Sequence, residues 1–82
     1  MSGENNGRGI RLWDKNFRPE NTSEVRSGDV IVYPCVFRDA PDNYLVVERV
    51  DQGTGMISGQ IASPHGVNSI SADKIAELCD NL

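Results

Sequence analysis

The chain has 82 residues, 38% of them hydrophobic and 24% charged, and its 8 Lys+Arg against 12 Asp+Glu give a formal net charge of −4. That length holds one domain with a modest core, that apolar content excludes a wholly disordered chain, and the acidic balance on average repels a phosphate backbone. Cys35 and Cys79 stand too far apart for a CxxC metal clip and are too few for a disulfide framework, so reduced thiols in a cytoplasmic protein are the expectation.

Residues 1–9 are rich in Gly, Asn and Ser and carry no periodic apolar group, which predicts a disordered N-terminal tail ahead of a single domain over residues 10–82. The opening Ser2-Gly3-Glu4-Asn5 lacks the basic and apolar regions of an export signal. No apolar run approaches the ~20 residues that cross a bilayer, so no membrane contact is expected. Without export, the sequon Asn21-Thr22-Ser23 reads as a chance match.

Ile10-Arg11-Leu12-Trp13 alternates and predicts a short first strand. Residues 14–28 hold Asn16, Pro19, Asn21, Ser23 and Ser27, too many turn formers for a long element, with Phe17 and Val25 expected as core anchors. A helical turn over Thr22–Arg26, capped by Asn21 or Thr22, fits this stretch.

Gly28 to Phe37 is the most strand-like run. Val30, Val32 and Val36 fall on one side and Ile31, Tyr33, Cys35 and Phe37 on the other, so both faces call for burial. Pro34 is discordant: without an N–H it belongs at an edge, a bulge or a bend. After the polar cluster Arg38–Asn43, a strand is expected over Tyr44–Val50. The connection Asp51-Gln52-Gly53-Thr54-Gly55 then leads into another over Met56–Ala62, with Gly59 marking a bulge or sharp bend. A turn at Ser63-Pro64-His65-Gly66 and a short strand over Val67–Ile70 follow. Ser71 caps a terminal helix whose Ile75, Leu78, Cys79 and Leu82 form one apolar stripe, with Asp73 in the first turn where the helix dipole favours it.

This layout predicts a mainly β fold: a small, strongly bent antiparallel sheet or SH3-like barrel of four to five strands with a short C-terminal helix. The alternative is an α+β domain with the helix covering one sheet face. At Val25-Arg26-Ser27-Gly28-Asp29-Val30-Ile31-Val32 the chain resembles the opening of SH3-like small β-barrels, in which an apolar residue, a turn, Gly-Asp and a β-branched strand succeed one another. That resemblance, which runs from Val25 onward, implies a scaffold for binding peptides, proteins or nucleic acids rather than for catalysis.

No catalytic constellation stands out. His65, the one histidine, lies in a turn, where histidines are mostly solvated, and pairing it with Cys35 or Cys79 as a nucleophile would need thiols that both read as buried. Gly53-Thr54-Gly55 lacks the Lys and following helix of a phosphate loop, and the acidic residues show no shared-site spacing. No enzymatic activity, cofactor or metal is expected. The basic and aromatic residues from Arg8 to Arg18 make the one stretch that resembles a nucleic-acid surface, with Arg11, Trp13, Phe17 and Arg18 as its binding residues. Trp13, Phe17, Tyr33 and Tyr44 are alternatively groove-lining aromatics or simply core. The leading expectation is a non-enzymatic protein-binding module, a homodimer or an inhibitor or immunity-type antagonist of another protein. Nucleic-acid binding through Arg8 to Arg18 is the alternative.

Overall fold

A computed structural model describes residues 10–37, 39–62 and 67–81. Five strands form one sheet in sequential order: β1 (Leu12–Asp14), β2 (Val30–Tyr33), β3 (Asn43–Asp51), β4 (Met56–Ile61) and β5 (Ser69–Ser71). Helix α1 (Ala72–Asp80) follows β5 directly. The expected mainly β architecture with a short C-terminal helix is present, and two features of the expectation are corrected.

First, the sheet is mixed. β1 runs parallel to β2, with Leu12, Trp13 and Asp14 opposite Val30, Ile31 and Val32, while the other three pairings are antiparallel. A parallel pair needs a crossover of a dozen or more residues. Here the crossover contains the 3-10 segment Pro19–Glu24, which begins three residues earlier than the helical turn expected at Thr22–Arg26. Pro19 accounts for the shift, since its fixed φ suits a first helical position. Asn21 accepts from the Arg18 N–H through Oδ1 at 3.1 Å, and the Thr22 hydroxyl donates to the Pro19 carbonyl at 2.6 Å. Second, the sheet is not closed into a barrel, since β1 and β5 are its two ends and pair only with β2 and β4. This arrangement agrees with the α+β alternative.

The run expected to be one long strand stops early. β2 ends at Tyr33 because Pro34 has no N–H to carry the ladder on. Beyond it Cys35 is half-buried rather than buried, and Val36 and Phe37 are exposed. Leu12 of β1, and Ile10 just before the strand, are exposed, while Trp13 on the opposite side from Leu12 is 2% exposed.

The core lies between one face of the sheet and the layer made by α1 and the 3-10 segment. Trp13, Ile31, Tyr33, Leu45, Val47, Ile57 and Ile70 come from the sheet, Phe17 and Val25 from the crossover, and Ala72, Ile75 and Cys79 from the helix. Each such large side chain, taken from water to full burial, contributes about 1.5–3 kcal/mol. The anchors expected at Phe17 and Val25 are in this core. So is the helix stripe at Ile75 and Cys79, with Leu78 packed at its margin; Leu82 lies outside the described residues. Ser71 caps α1 as expected, its Oγ accepting from the Lys74 N–H at 3.1 Å.

The β3–β4 connection is built by Asp51, whose carboxylate Oδ1 accepts from the Gly53 and Thr54 N–H groups at 3.0 and 3.4 Å. Gly55 closes the turn at a φ of 76°, a conformation glycine adopts without a Cβ penalty. The register of β3 against β4 shifts between Val47 and Arg49, so Glu48 is the extra residue of a bulge. Gly59 lies opposite Val47, and a Cβ there would collide with the Val46 carbonyl. The bulge and the glycine therefore require each other, as the mid-strand glycine suggested.

Candidate functional site

Three clusters hold the residues singled out in the sequence. Around Trp13, the Arg11 guanidinium lies 3.7 Å from the indole centroid, and the Phe17 ring meets the indole edge-on at 5.7 Å and 84°. Asp29, 1% exposed, sits beneath them. Its carboxylate accepts from the Trp13 Nε1–H at 3.4 Å, the Arg11 N–H at 3.2 Å and the Arg26 N–H at 3.0 Å. Arg11 also pairs with Glu24 at 3.5 Å, while Arg18 reaches Asp80 at 3.4 Å and donates to the Phe17 carbonyl at 2.8 Å. Trp13 and Phe17, at 2% and 0% exposure, thus offer no open ring faces for bases to stack on, and Arg11 and Arg18 are occupied within the chain. Arg8 lies outside the described residues.

The second cluster is the face of the sheet turned away from α1. Alternation and register place Leu12, Val30 and Val46 in a row across β1, β2 and β3, with Val32 and Tyr44 in the row beside it. Leu12 is 57% exposed, Tyr44 48% and Val46 41%, with Ile10 projecting nearby at 74%. Val32 is 2% exposed and Val30 half-buried, so the open part of this face is Leu12, Tyr44 and Val46. At the margin Lys15 pairs with Asp42 at 3.0 Å, and the neutral Gln60 amide donates to Glu48 at 3.1 Å. The hydrogen bond and charge of Asp42 raise the Lys15 pKa above its ordinary value.

The third cluster is a cleft of about 480 Å3 between the chain that leaves β2, strand β5 and helix α1. Cys35, Val36, Met56, Ile70 and Leu78 supply most of its apolar lining. Tyr33 and Asn43, directly paired across β2 and β3, also line it. They are 1% and 4% exposed, and the Tyr33 hydroxyl and Asn43 Oδ1 have no hydrogen-bond partner. Burial pushes the Tyr33 phenol up from its ordinary pKa, so it stays protonated and able to donate.

The six residues expected to bind are therefore split. Arg11, Trp13 and Phe17 are together, Arg18 bridges to the helix, and Tyr33 and Tyr44 lie on opposite faces of the sheet. Sequence reasoning missed Asp29 and Asn43. Gly28-Asp29 read as ordinary turn chemistry, and nothing in hydropathy marks a polar residue that a neighbouring strand will bury. His65 lies outside the described residues, so its distance from Cys35 does too. Among the described residues, no three His, Cys, Asp or Glu side chains gather in a way that could hold a metal ion. Among the described residues, no helix is long and apolar enough to cross a membrane. Comparison with protein-family models, curated proteins and solved structures finds no match to this chain.

Proposed function

We propose that this protein is a non-enzymatic association module whose partner, in the first instance, is a second copy of itself, docked through the open face of the sheet. The observation that carries this reading is the exposed apolar set Leu12, Tyr44 and Val46, which flanks the half-buried Val30 on one sheet face. With Ile10 it leaves on the order of 400 Å2 of side-chain surface in one patch, a size often tied to function on soluble proteins. A standard interface buries roughly 800 Å2 per partner, so the patch supplies the apolar centre and its polar surroundings the rim. Sheet faces pack well on one another at about 10 Å.

Two further features favour a second copy. At the margin the Lys15–Asp42 pair is matched inside each chain, so it adds no uncompensated like charge where two identical faces meet. The end strands β1 and β5 are only three residues each, which leaves little ladder for edge-to-edge pairing and makes the face the larger surface. Nucleic-acid binding through Arg8 to Arg18 has less support, because its aromatic residues lie in the core.

Sedimentation of the wild type and Val46→Lys over a concentration series tests the reading. The wild type is expected to rise from the 9.0 kDa chain mass toward twice that value, and the folded variant to stay at the chain mass. A wild type still monomeric at about 1 mM, where even a −4 kcal/mol association would register, overturns self-association. A variant that associates as the wild type does removes this face from the account.

A further inference from the structure

The cleft between β5, α1 and the chain leaving β2 shares no residue with the open sheet face, and its chemistry is different. We infer that it is a binding site for a small, largely apolar molecule bearing a carboxamide or lactam head, which the Tyr33 hydroxyl and Asn43 Oδ1 receive together.

Buried polar atoms almost always have partners, and two unpartnered ones on directly paired residues at one cleft are an exception that calls for a ligand. Cleft volume and lining are those of small-molecule sites, which are mostly apolar with a few convergent polar groups. Inventory then limits the head group. Asn43 Oδ1 only accepts, so the ligand must donate an N–H or O–H there. The protonated Tyr33 hydroxyl donates, so the ligand must also accept beside its donor. An amide or lactam presents this neighbouring pair without charge.

A carboxylate fits less well. It would place negative charge beside an acceptor oxygen in an apolar cleft, and the one lysine of the lining, Lys74, already donates to Glu77 at 3.3 Å. Both oxygens are closed to solvent, so the head reaches them only as lining side chains change rotamer. Met56 and Leu78, unbranched at Cβ, are suited to that movement. The cleft lies between β5, α1 and the segment after Tyr33, and an occupant there would bridge these parts of the fold.

The test titrates hexanamide, hexanoate and methyl pentanoate into the isotopically labelled protein and follows the Tyr33, Asn43, Ile70 and Leu78 resonances. Hexanamide is expected to bind saturably and at least tenfold more tightly than either control, one hydrogen bond contributing about tenfold. Tyr33→Phe keeps the ring and is expected to cost hexanamide about tenfold while leaving methyl pentanoate within about twofold, the ester's single acceptor being poorly placed without the Asn43 contact. Asn43→Ala is expected to equalise the amide and the ester. Equal binding of all three probes, shifts confined to Leu12, Tyr44 and Val46, or no saturable shift would each overturn the assignment. Tighter binding by an extended peptide carrying an amide side chain than by hexanamide would overturn the small-molecule assignment.

Discussion

Asp29 ties the start of β1 to the turn that precedes β2. Its carboxylate receives two backbone N–H groups and the Trp13 indole, Arg11 and Trp13 on one side of the crossover and Arg26 on the other. Burying a carboxylate is costly, and several donors on it make the burial tolerable. Asp29→Ala leaves those donors without that acceptor in a buried setting, and a loss of about 3 kcal/mol is expected in urea unfolding monitored by Trp13 fluorescence. A loss below about 1 kcal/mol would mean that water replaces the carboxylate easily. At this scale the apolar anchors were the legible part: Phe17 and Val25 announced themselves as isolated hydrophobes among turn formers. Asp29 and Asn43 did not, because their burial depends on neighbours contributed by other strands, which local composition does not encode.

At the scale of elements, the β3–β4 pair shows how one residue type sets a strand's path. Glu48 is extra in β3, the chain bends there, and only glycine at 59 lets the Val46 carbonyl approach. Gly59→Ala is expected to destabilise by about 3 kcal/mol or to abolish folding, since the clash is with backbone rather than with a movable side chain. A thermal midpoint within a degree or two of the wild type would show that the bulge relaxes freely. Strands and helix were legible here from alternation, the Ser71 cap and the Asp51–Gly55 turn, with boundaries off by one or two residues. Two features were not. The parallel pairing of β1 depends on where the crossover lays the chain, and alternation is the same in either direction. The stop after Tyr33 was signalled by Pro34, but the apolar residues beyond it argued for continuation. Their exposure shows that hydrophobicity alone does not extend a ladder past a missing donor.

At the scale of the whole fold, three proton-binding groups among the described residues shift in the same direction. Burial raises the Cys79 thiol and the Tyr33 phenol above their ordinary values, and the hydrogen bond and charge of Asp42 raise Lys15. Each holds its proton more tightly folded than unfolded. The folded chain therefore binds more protons than the unfolded one at alkaline pH, and stability falls as pH rises. The decline should begin near 9.0, the ordinary value of the thiol, and steepen past 10.0 and 10.5 as the unfolded tyrosine and lysine lose their protons. Urea midpoints measured from pH 7 to 11 check this, and Tyr33→Phe should flatten the part above 10.0. A level midpoint across that range would contradict the linkage.

The same scale carries the functional account. The expectation that both faces of β2 need cover holds within the strand, since Ile31 and Tyr33 on one face and Val32 on the other are at most 2% exposed, while Leu12, Tyr44 and Val46 on the neighbouring strands stay open. The sequence could not say which face the helix would take, because Ile10 and Leu12 are as apolar as Trp13. The most direct measurement is an isotope-filtered nuclear Overhauser experiment on an equal mixture of labelled and unlabelled chains at concentrations where dimer would form. The account predicts intermolecular cross-peaks from the Leu12 and Val46 methyls and the Tyr44 ring, lost in Val46→Lys. Intermolecular cross-peaks that arise instead from α1 or β5, or a sample that stays monomeric and shows none, would contradict it.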